Sequence, residues 1–222
     1  MRILVVSDLH LGNGSKSDDF GYGRETFERE ARFLEFVESQ NPDRVYLNGD
    51  IYELWQARWK KIKKAHEKLV KVFENDPKYI YIVGNHDFNL TGLYSDEIRT
   101  KSGKRVIIAH GFTADPWMNN VFTRTLIWFI GGLERLISPN IDLWPHMLRR
   151  SGEKSILKKR QTKYAEKLLK TYDICILGHT HYLDIDTNDV GRIYANTGTC
   201  QTGKLQGILL DTETDEIRIV EG

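Results

Sequence analysis

The chain has 222 residues, of which 40% are apolar, 28% charged and 11% aromatic, and its formal net charge is +1. That length suits one large domain with a full core, and the composition is that of an ordinary globular protein. The near-neutral balance removes any global argument for nucleic-acid binding, and no run approaches the length of a membrane span.

Two cysteines, Cys175 and Cys200, are too few and too far apart for a disulfide framework or a thiolate zinc site. They point to a reduced, cytoplasmic protein. Met1 to Val6 runs directly into Asp8, which does not read as a secretory signal.

In chain order, Ile3 to Val6 is read as a first, fully buried strand. Ser7-Asp8-Leu9-His10 follows at its C-terminal end. Residues 12 to 23, rich in Gly, Ser and Asp, read as a mobile loop. They do not form a phosphate-cradling P-loop, because no Gly-Lys-Ser/Thr run closes them. Glu25 to Gln40 has the spacing of an amphipathic helix, with Phe27, Ala31, Leu34 and Val37 on its apolar face. Asn41-Pro42-Asp43 ends it. Arg44 to Leu47 is the second strand, closed by Asn48-Gly49-Asp50.

A helix is expected from about Glu53 to Glu74. Its run Lys60-Lys61-Ile62-Lys63-Lys64 reads as a solvated face, and His66 within it has no assigned role. Tyr79 to Val83 is the third strand, with Gly84-Asn85-His86-Asp87 at its end. Lys104 to Ala109 is the fourth, followed by His110-Gly111.

Residues 116 to about 160 break this rhythm. Trp117, Val121, Thr125, Phe129 and Leu133 recur every four residues, as do Met118, Phe122, Leu126 and Ile130. The apolar face is wider than a core-facing stripe needs, and Arg149, Arg150, Lys154, Lys158, Lys159 and Arg160 follow it. This reads as an inserted helical cap, apolar first and basic afterwards. It is either a groove for an apolar substrate part or a surface resting on a membrane; the plainer alternative is core packing with a charged helix face.

Ile174 to Leu177 is another buried strand, and Gly178-His179-Thr180-His181 ends it. Side chains two apart on extended backbone point the same way, so both histidines can reach one cavity. Imidazole is the commonest protein metal ligand, although a His-x-His pair alone also fits a solvated polar loop. Tyr182 to Thr187 with Arg192 to Ala195, and Leu205 to Leu210 with Glu216 to Val220, read as two late hairpins. They suggest a second sheet packed on the first.

Five successive strand ends thus carry Asp/His, Asp, Asn/His, His and His/His. Ligands of open α/β sheets bind beyond the carboxyl ends of strands, and structural histidines would not be so confined. A mixed carboxylate and imidazole set suits Mn, Fe or Zn better than Ca or Mg.

The series Asp8-x-His10, Gly49-Asp50, Gly84-Asn85-His86-Asp87, His110-Gly111 and Gly178-His179-x-His181 resembles the calcineurin-like metallophosphoesterases over most of the chain. That resemblance implies an α/β fold, a four-layer αββα sandwich in a single domain, here with the helical cap inserted at about 116–160. It implies two divalent metal ions, manganese foremost, with iron, zinc or nickel accepted by the same ligands. Asp8, His10 and His181 would hold the first metal, Asn85, His110 and His179 the second, and Asp50 would bridge them.

Such a pair, about 3.5–4 Å apart, shares a hydroxide that attacks phosphorus in line and clamps the phosphoryl oxygens. His86 would protonate the leaving oxygen, and Glu53 would orient His86.

Ser7-Asp8-Leu9-His10-Leu11, Gly49-Asp50-Ile51-Tyr52-Glu53-Leu54-Trp55 and Asp87-Phe88 are similar to the subgroup of UDP-2,3-diacylglucosamine hydrolases of lipid A synthesis. This resemblance implies pyrophosphate cleavage of a lipid-linked nucleotide, with Arg149, Arg150, Lys154 and Lys158 near its phosphates. It also allows peripheral contact with the inner face of a membrane through the cap. Two alternatives stay open: a broader phosphomonoesterase or phosphodiesterase on a soluble substrate, its cap joining a homodimer, and a non-catalytic scaffold of the same fold.

Overall fold

A computed structural model of the chain describes residues 1–16, 18–21, 23–115 and 151–222, with backbone alone at residues 24 and 151–155. Two five-stranded mixed sheets lie at its centre. The first contains β1 (Arg2–Val6), β2 (Arg44–Asn48), β3 (Tyr79–Ile82), β9 (Gln206–Asp211) and β10 (Glu216–Glu221), in the order β10-β9-β1-β2-β3. The second contains β4 (Ser95–Arg99), β5 (Arg105–Ala109), β6 (Ile174–Leu177), β7 (Leu183–Thr187) and β8 (Ile193–Thr197), in the order β4-β5-β6-β8-β7.

Strands β1, β2 and β3 run parallel in the first sheet, as do β5, β6 and β8 in the second. Their neighbours β9, β10, β4 and β7 pair antiparallel. The α-helices among the described residues are α1 (Arg24–Ser39), α2 (Trp59–Ala65), α3 (Glu67–Asn75) and α4 (Ser151–Leu168).

The layering follows from the period-2 alternation of strand side chains. In β1, Ile3 and Val5 face the core between the sheets, together with Tyr46, Ile82, Val106, Ile108, Ile174, Ile176, Ile208 and Leu210. Leu4 and Val6 face the other way, onto a core shared with Phe33, Phe36 and Val37 of α1 and Leu69 and Val70 of α3. On the far side, Ile107, Cys175 and Tyr194 pack on Ala165 of α4 and the adjoining Leu169. The order is helices, sheet, sheet, helix, as the αββα expectation requires. Strands buried on both faces read as continuous apolar runs, which is why β1 and β6 were plain in the sequence.

Four local expectations are corrected. Helix α1 is rotated: Phe27 is 72% exposed, whereas Thr26, Glu30, Phe33, Phe36 and Val37 are buried. The buried pairing of Glu30 with His66 and the packing of Phe33 and Phe36 set that face.

The helix expected from Glu53 begins only at Trp59 and breaks at His66. Residues 51–53 are held extended instead, Ile51 and Tyr52 donating to Asp87 Oδ2 and Glu53 to the Leu11 carbonyl. The loop after Gly12 is packed rather than mobile at its described residues, with Asp18 and Phe20 buried. Strand β4 is additional. Its sequence, Ser-Asp-Glu-Ile-Arg, is an edge strand with one apolar residue, and so lacks the signal by which strands are found.

The expected cap, about 116–160, lies outside the described residues up to residue 150, and its last part, from residue 151, falls within α4. No helix among the described residues is long and apolar enough to cross a membrane.

Candidate metal centre

Every parallel strand except β8 delivers part of one cluster from its C-terminal end. Asp8 and His10 follow β1, Asp50 follows β2, Asn85 and His86 follow β3, His110 follows β5, and His179 and His181 follow β6. Cross-sheet hydrogen bonds fix the two halves to one another. Asn48 Nδ2 donates to the Ala109 carbonyl at 3.0 Å, and the His110 ring donates from Nδ1 to the Asn48 carbonyl at 2.7 Å. The His179 N–H donates to Asp8 Oδ2 at 3.1 Å. Ser7 Oγ lies on the same Asp8 oxygen and 2.6 Å from Thr197 Oγ1.

The backbone is strained where these side chains converge. Asp8, His10, Asp50, His179 and His181 all have φ between 50° and 70°, a left-handed region that non-glycine residues rarely enter. Such strain persists only where surrounding structure enforces it, and it gathers at functional sites. Gly84 makes the close approach at Asp50 feasible: a Cβ there would stand 2.2 Å from Asp50 Oδ1.

Donor atoms gather in three overlapping groups, each with its atoms within 4.8 Å of one another: Asp8 with His10 and His181, Asp50 with His110 and His179, and His10 with Asp50 and His86. Asp50 belongs to two of them. Asp8 Oδ1, His10 Nε2, Asn85 Oδ1, His110 Nε2 and His179 Nε2 are buried without a hydrogen-bond partner, although Asp8 Oδ1 lies 3.0 Å from His181 Nε2 and His110 Nε2 lies 3.1 Å from Asp50 Oδ2 as ion-pair contacts. They are five of the ten such side-chain atoms among the described residues.

A buried polar atom left unpaired costs free energy, so a cluster of them around a carboxylate is the signature of a cation site. The tautomers agree. The Nδ1 atoms of His10 and His110 face Glu53 and the Asn48 carbonyl, at 2.9 and 2.7 Å, which leaves each Nε2 as the nitrogen that can offer a lone pair to a cation once it gives up its proton. Nitrogen and carboxylate donors together fit Mn, Fe, Zn or Ni.

Charge in the site is finely opposed. Burial pushes Asp8 upward, but the charges of His181 and His110, with His10 and His181 close by, hold it well below the usual carboxylate range. Burial likewise works against ionisation of Asp50, and His110 and His86 outweigh it. Glu53 is drawn down to about 2, against burial, by His86 and His10. His110 is raised to about 9 despite burial, by Asp50 and Asp8. His179 is lowered to about 3 by burial and by the His110 charge.

His86 stands beside the cluster and is partly exposed, with Nδ1 at 2.7 Å from Glu53 Oε2 and its N–H on Asp50 Oδ1 at 2.8 Å. Trp55 stacks on its ring at 3.7 Å between centroids. Asp87 anchors the turn, taking the N–H groups of Gly84 and Ile51 at 2.6 and 2.7 Å.

Asp8, His10, Asp50, His110, His179 and His181, with His86 and Glu53, therefore meet in one place, and Asn85 stands next to His86 in the chain with its Oδ1 buried and unpaired. Of the expected phosphate-binding cations, Arg149 and Arg150 lie outside the described residues, as does the side chain of Lys154, and Lys158 pairs with Asp184 at 2.9 Å. Sequence reasoning gave no part to Trp55, Ser7, Thr197 or Asn48. Only the position of Trp55, five residues after Asp50 and beside a ligand block, offered a signal.

A UDP-2,3-diacylglucosamine hydrolase of Psychromonas ingrahamii is 27% identical to the chain over 216 residues, covering 82% of this chain and 81% of that protein. Among solved structures, an archaeal phosphodiesterase is 17% identical with a TM-score of 0.50, covering 100% of both chains. A hypothetical protein of Pyrococcus horikoshii is 10% identical with a TM-score of 0.52, covering 99% of this chain and 87% of that one. At these identities the two structures show a shared fold. The sequence model of the calcineurin-like phosphoesterase family matches residues 1–183, a span that holds every residue of the cluster, and the chain belongs to that family.

Proposed function

We propose that this chain is a two-metal hydrolase of phosphoester or pyrophosphate bonds, acting on a nucleotide-linked lipid of the UDP-2,3-diacylglucosamine kind. The observation that carries the hydrolase reading is the convergence of the donor atoms of Asp8, His10, Asp50, His110, His179 and His181 in overlapping groups, among which His10 Nε2 and His179 Nε2 are buried with no hydrogen-bond partner. In this reading Asp8, His10 and His181 hold one divalent cation, Asn85, His110 and His179 the other, and Asp50 lies between. When bound, the two cations supply an activated water and positive charge for the phosphoryl oxygens.

The remaining work falls to the chain's own groups. The His86 proton donor reaches the leaving oxygen, since its ring lies beside Asp50 and is partly open to solvent. Glu53 fixes the ring through Nδ1, which leaves Nε2 as the nitrogen that gives up the proton. Trp55 holds the ring plane by stacking and excludes water from that face. His181, with its side chain 37% exposed, marks the open side through which a phosphate enters.

The lipid-linked substrate is supported by the Psychromonas ingrahamii relative and by the Gly49-to-Trp55 block shared in kind with that subgroup. The test is mass spectrometry of products after the manganese-loaded protein meets UDP-2,3-diacylglucosamine. UMP and an acylated sugar phosphate are expected. No cleavage beside good hydrolysis of bis(p-nitrophenyl) phosphate would retain the hydrolase and move the substrate to soluble phosphoesters. Failure on both, with metals bound, would overturn the enzyme reading.

A further inference from the structure

His66 is fully buried at the break between α2 and α3, away from the metal cluster, and the chemistry described so far does not use it. Its Nε2 lies 2.9 Å from Asp18 Oδ2, on the loop after Gly12, and its Nδ1 lies 3.1 Å from Glu30 Oε1 on α1. Both partners are carboxylates, so both ring nitrogens must donate, and an imidazole that donates twice is a cation. Phe20 closes the pocket, edge-on at 5.6 Å. Glu67 and Lys68, which follow His66 on α3, are exposed, so the charged groups facing the ring are Asp18 and Glu30.

Asp18 is the hub of its loop. It accepts the N–H groups of Gly14 at 2.7 Å and Phe20 at 3.1 Å. A Cβ on Gly12 would stand 2.9 Å from its Cγ. Two further ties hold the same loop: Arg29 donates to the Phe20 carbonyl at 2.7 Å, and Thr202 donates its N–H to the Asp19 carbonyl at 2.8 Å.

The loop borders the metal centre. It begins two residues after His10, and Leu11 between them accepts the Glu53 N–H at 3.0 Å. The segment of Thr202 also carries Thr199 and Cys200, which hold the Asp8 carbonyl at 3.0 and 3.2 Å. A buried ion triad is a costly way to fill a core, and apolar residues of equal volume often stabilise more. Its return here is a fixed geometry.

We propose that His66 is a positioning residue, an imidazolium clamp on Asp18 and Glu30 that holds the Gly12-to-Gly21 loop as one wall of the substrate cleft. The proposal rests on the hydrolase reading for what the wall serves, but the clamp itself is measurable without turnover. With the clamp in place, substrate meets a cleft that is already formed. Without it the loop must be ordered at each binding event, so the loss falls on KM while the metal-bound chemistry persists.

The test uses the zinc-loaded full chain and two variants, His66→Gln and Glu30→Gln. Amide hydrogen exchange of Gly14 and Phe20, corrected for intrinsic rates, is read against Gly191, whose N–H is held in a distant turn by the Asn188 carbonyl. Exchange at Gly14 and Phe20 should accelerate at least tenfold in His66→Gln and less in Glu30→Gln, with Gly191 unchanged. The wild-type chain, which needs no substitution to fold, should show the same selective loss of protection as the pH rises from 8 to 10.

Equal acceleration at all three amides, or none, would overturn the clamp. On bis(p-nitrophenyl) phosphate, His66→Gln should raise KM at least fivefold with kcat within twofold and metal content intact. A released loop with unchanged KM would overturn the positioning role. Absence of turnover of both this diester and UDP-2,3-diacylglucosamine by the metal-loaded wild type would instead sink the hydrolase reading and leave the exchange result to stand.

Discussion

His10 and His86 meet on a single oxygen. Both Nδ1 atoms reach Glu53 Oε2, at 2.9 and 2.7 Å, and the two rings stand edge to face with centroids 4.5 Å apart. One buried carboxylate therefore orients a histidine of the candidate metal site and the proposed proton donor together. Any displacement of Glu53 is felt by both.

Glu53→Gln is the sharpest probe of that link. The amide retains the volume but loses the charge that both rings face, and with its oxygen in the place of Oε2 its NH2 would oppose the Trp55 backbone N–H, which Oε1 now accepts at 3.2 Å. Loss of such an outer partner costs about 10–100-fold in activity or metal affinity. We expect kcat on a small phosphodiester to fall by about that factor, with a weaker hold on the metal near His10. Unchanged kcat and metal content would show that neither ring depends on the charge of Glu53.

Asp50 and His86 should separate metal binding from proton transfer. Asp50 lies in two of the three donor groups, so Asp50→Ala should lose both metals by elemental analysis, and essentially all turnover with them. His86→Ala should retain both metals while slowing turnover by about 10²–10⁴-fold, the usual contribution of a positioned proton donor. Metal loss in His86→Ala would make that residue a ligand, and full turnover in Asp50→Ala would remove it from the centre.

Much of this was open to reading before the fold was known, and for a physical reason. Strands buried on both faces must be apolar throughout, so Ile3–Val6 and Ile174–Leu177 announced themselves and so located Asp8, His10, His179 and His181 at strand ends. What escaped depends on contacts remote in sequence. Phe27 satisfied helical periodicity yet points outward, because Glu30 faces a buried histidine that lies 36 residues away. Trp55 became relevant only when its stacking on His86 was visible. Strained φ values at five site residues carry no mark in residue type.

Gly84 precedes Asn85, and its requirement is steric. An added Cβ would lie 2.2 Å from Asp50 Oδ1 and 2.4 Å from the Asp50 backbone nitrogen. The backbone atom cannot swing aside as a side-chain tip could. Gly84→Ala should therefore shift Asp50, destabilise the fold by about 1–3 kcal/mol as overpacking does, and weaken metal binding. A thermal melt and metal content equal to wild type would show that β3 can move away from β2 at this point.

Metal uptake should depend on pH through His110. In the metal-free chain its ring is raised to about 9, against burial, by Asp50 and Asp8, and a cation must displace that proton before it can use the nitrogen. His179, lowered to about 3, is already neutral and releases none. Apparent affinity for zinc at the His110 position should thus rise by about one log unit per pH unit up to pH 9, then flatten.

The metal-free fold should show the opposite trend. A histidine raised above its ordinary value stabilises the fold fully below pH 6.5, and that contribution is lost as the pH rises through about 9. Zinc competition titrations and metal-free melts over pH 6 to 10 test both halves. Zinc affinity that is flat across this range would show that His110 carries no proton when the site is open, and that Asp50 alone does not hold one there.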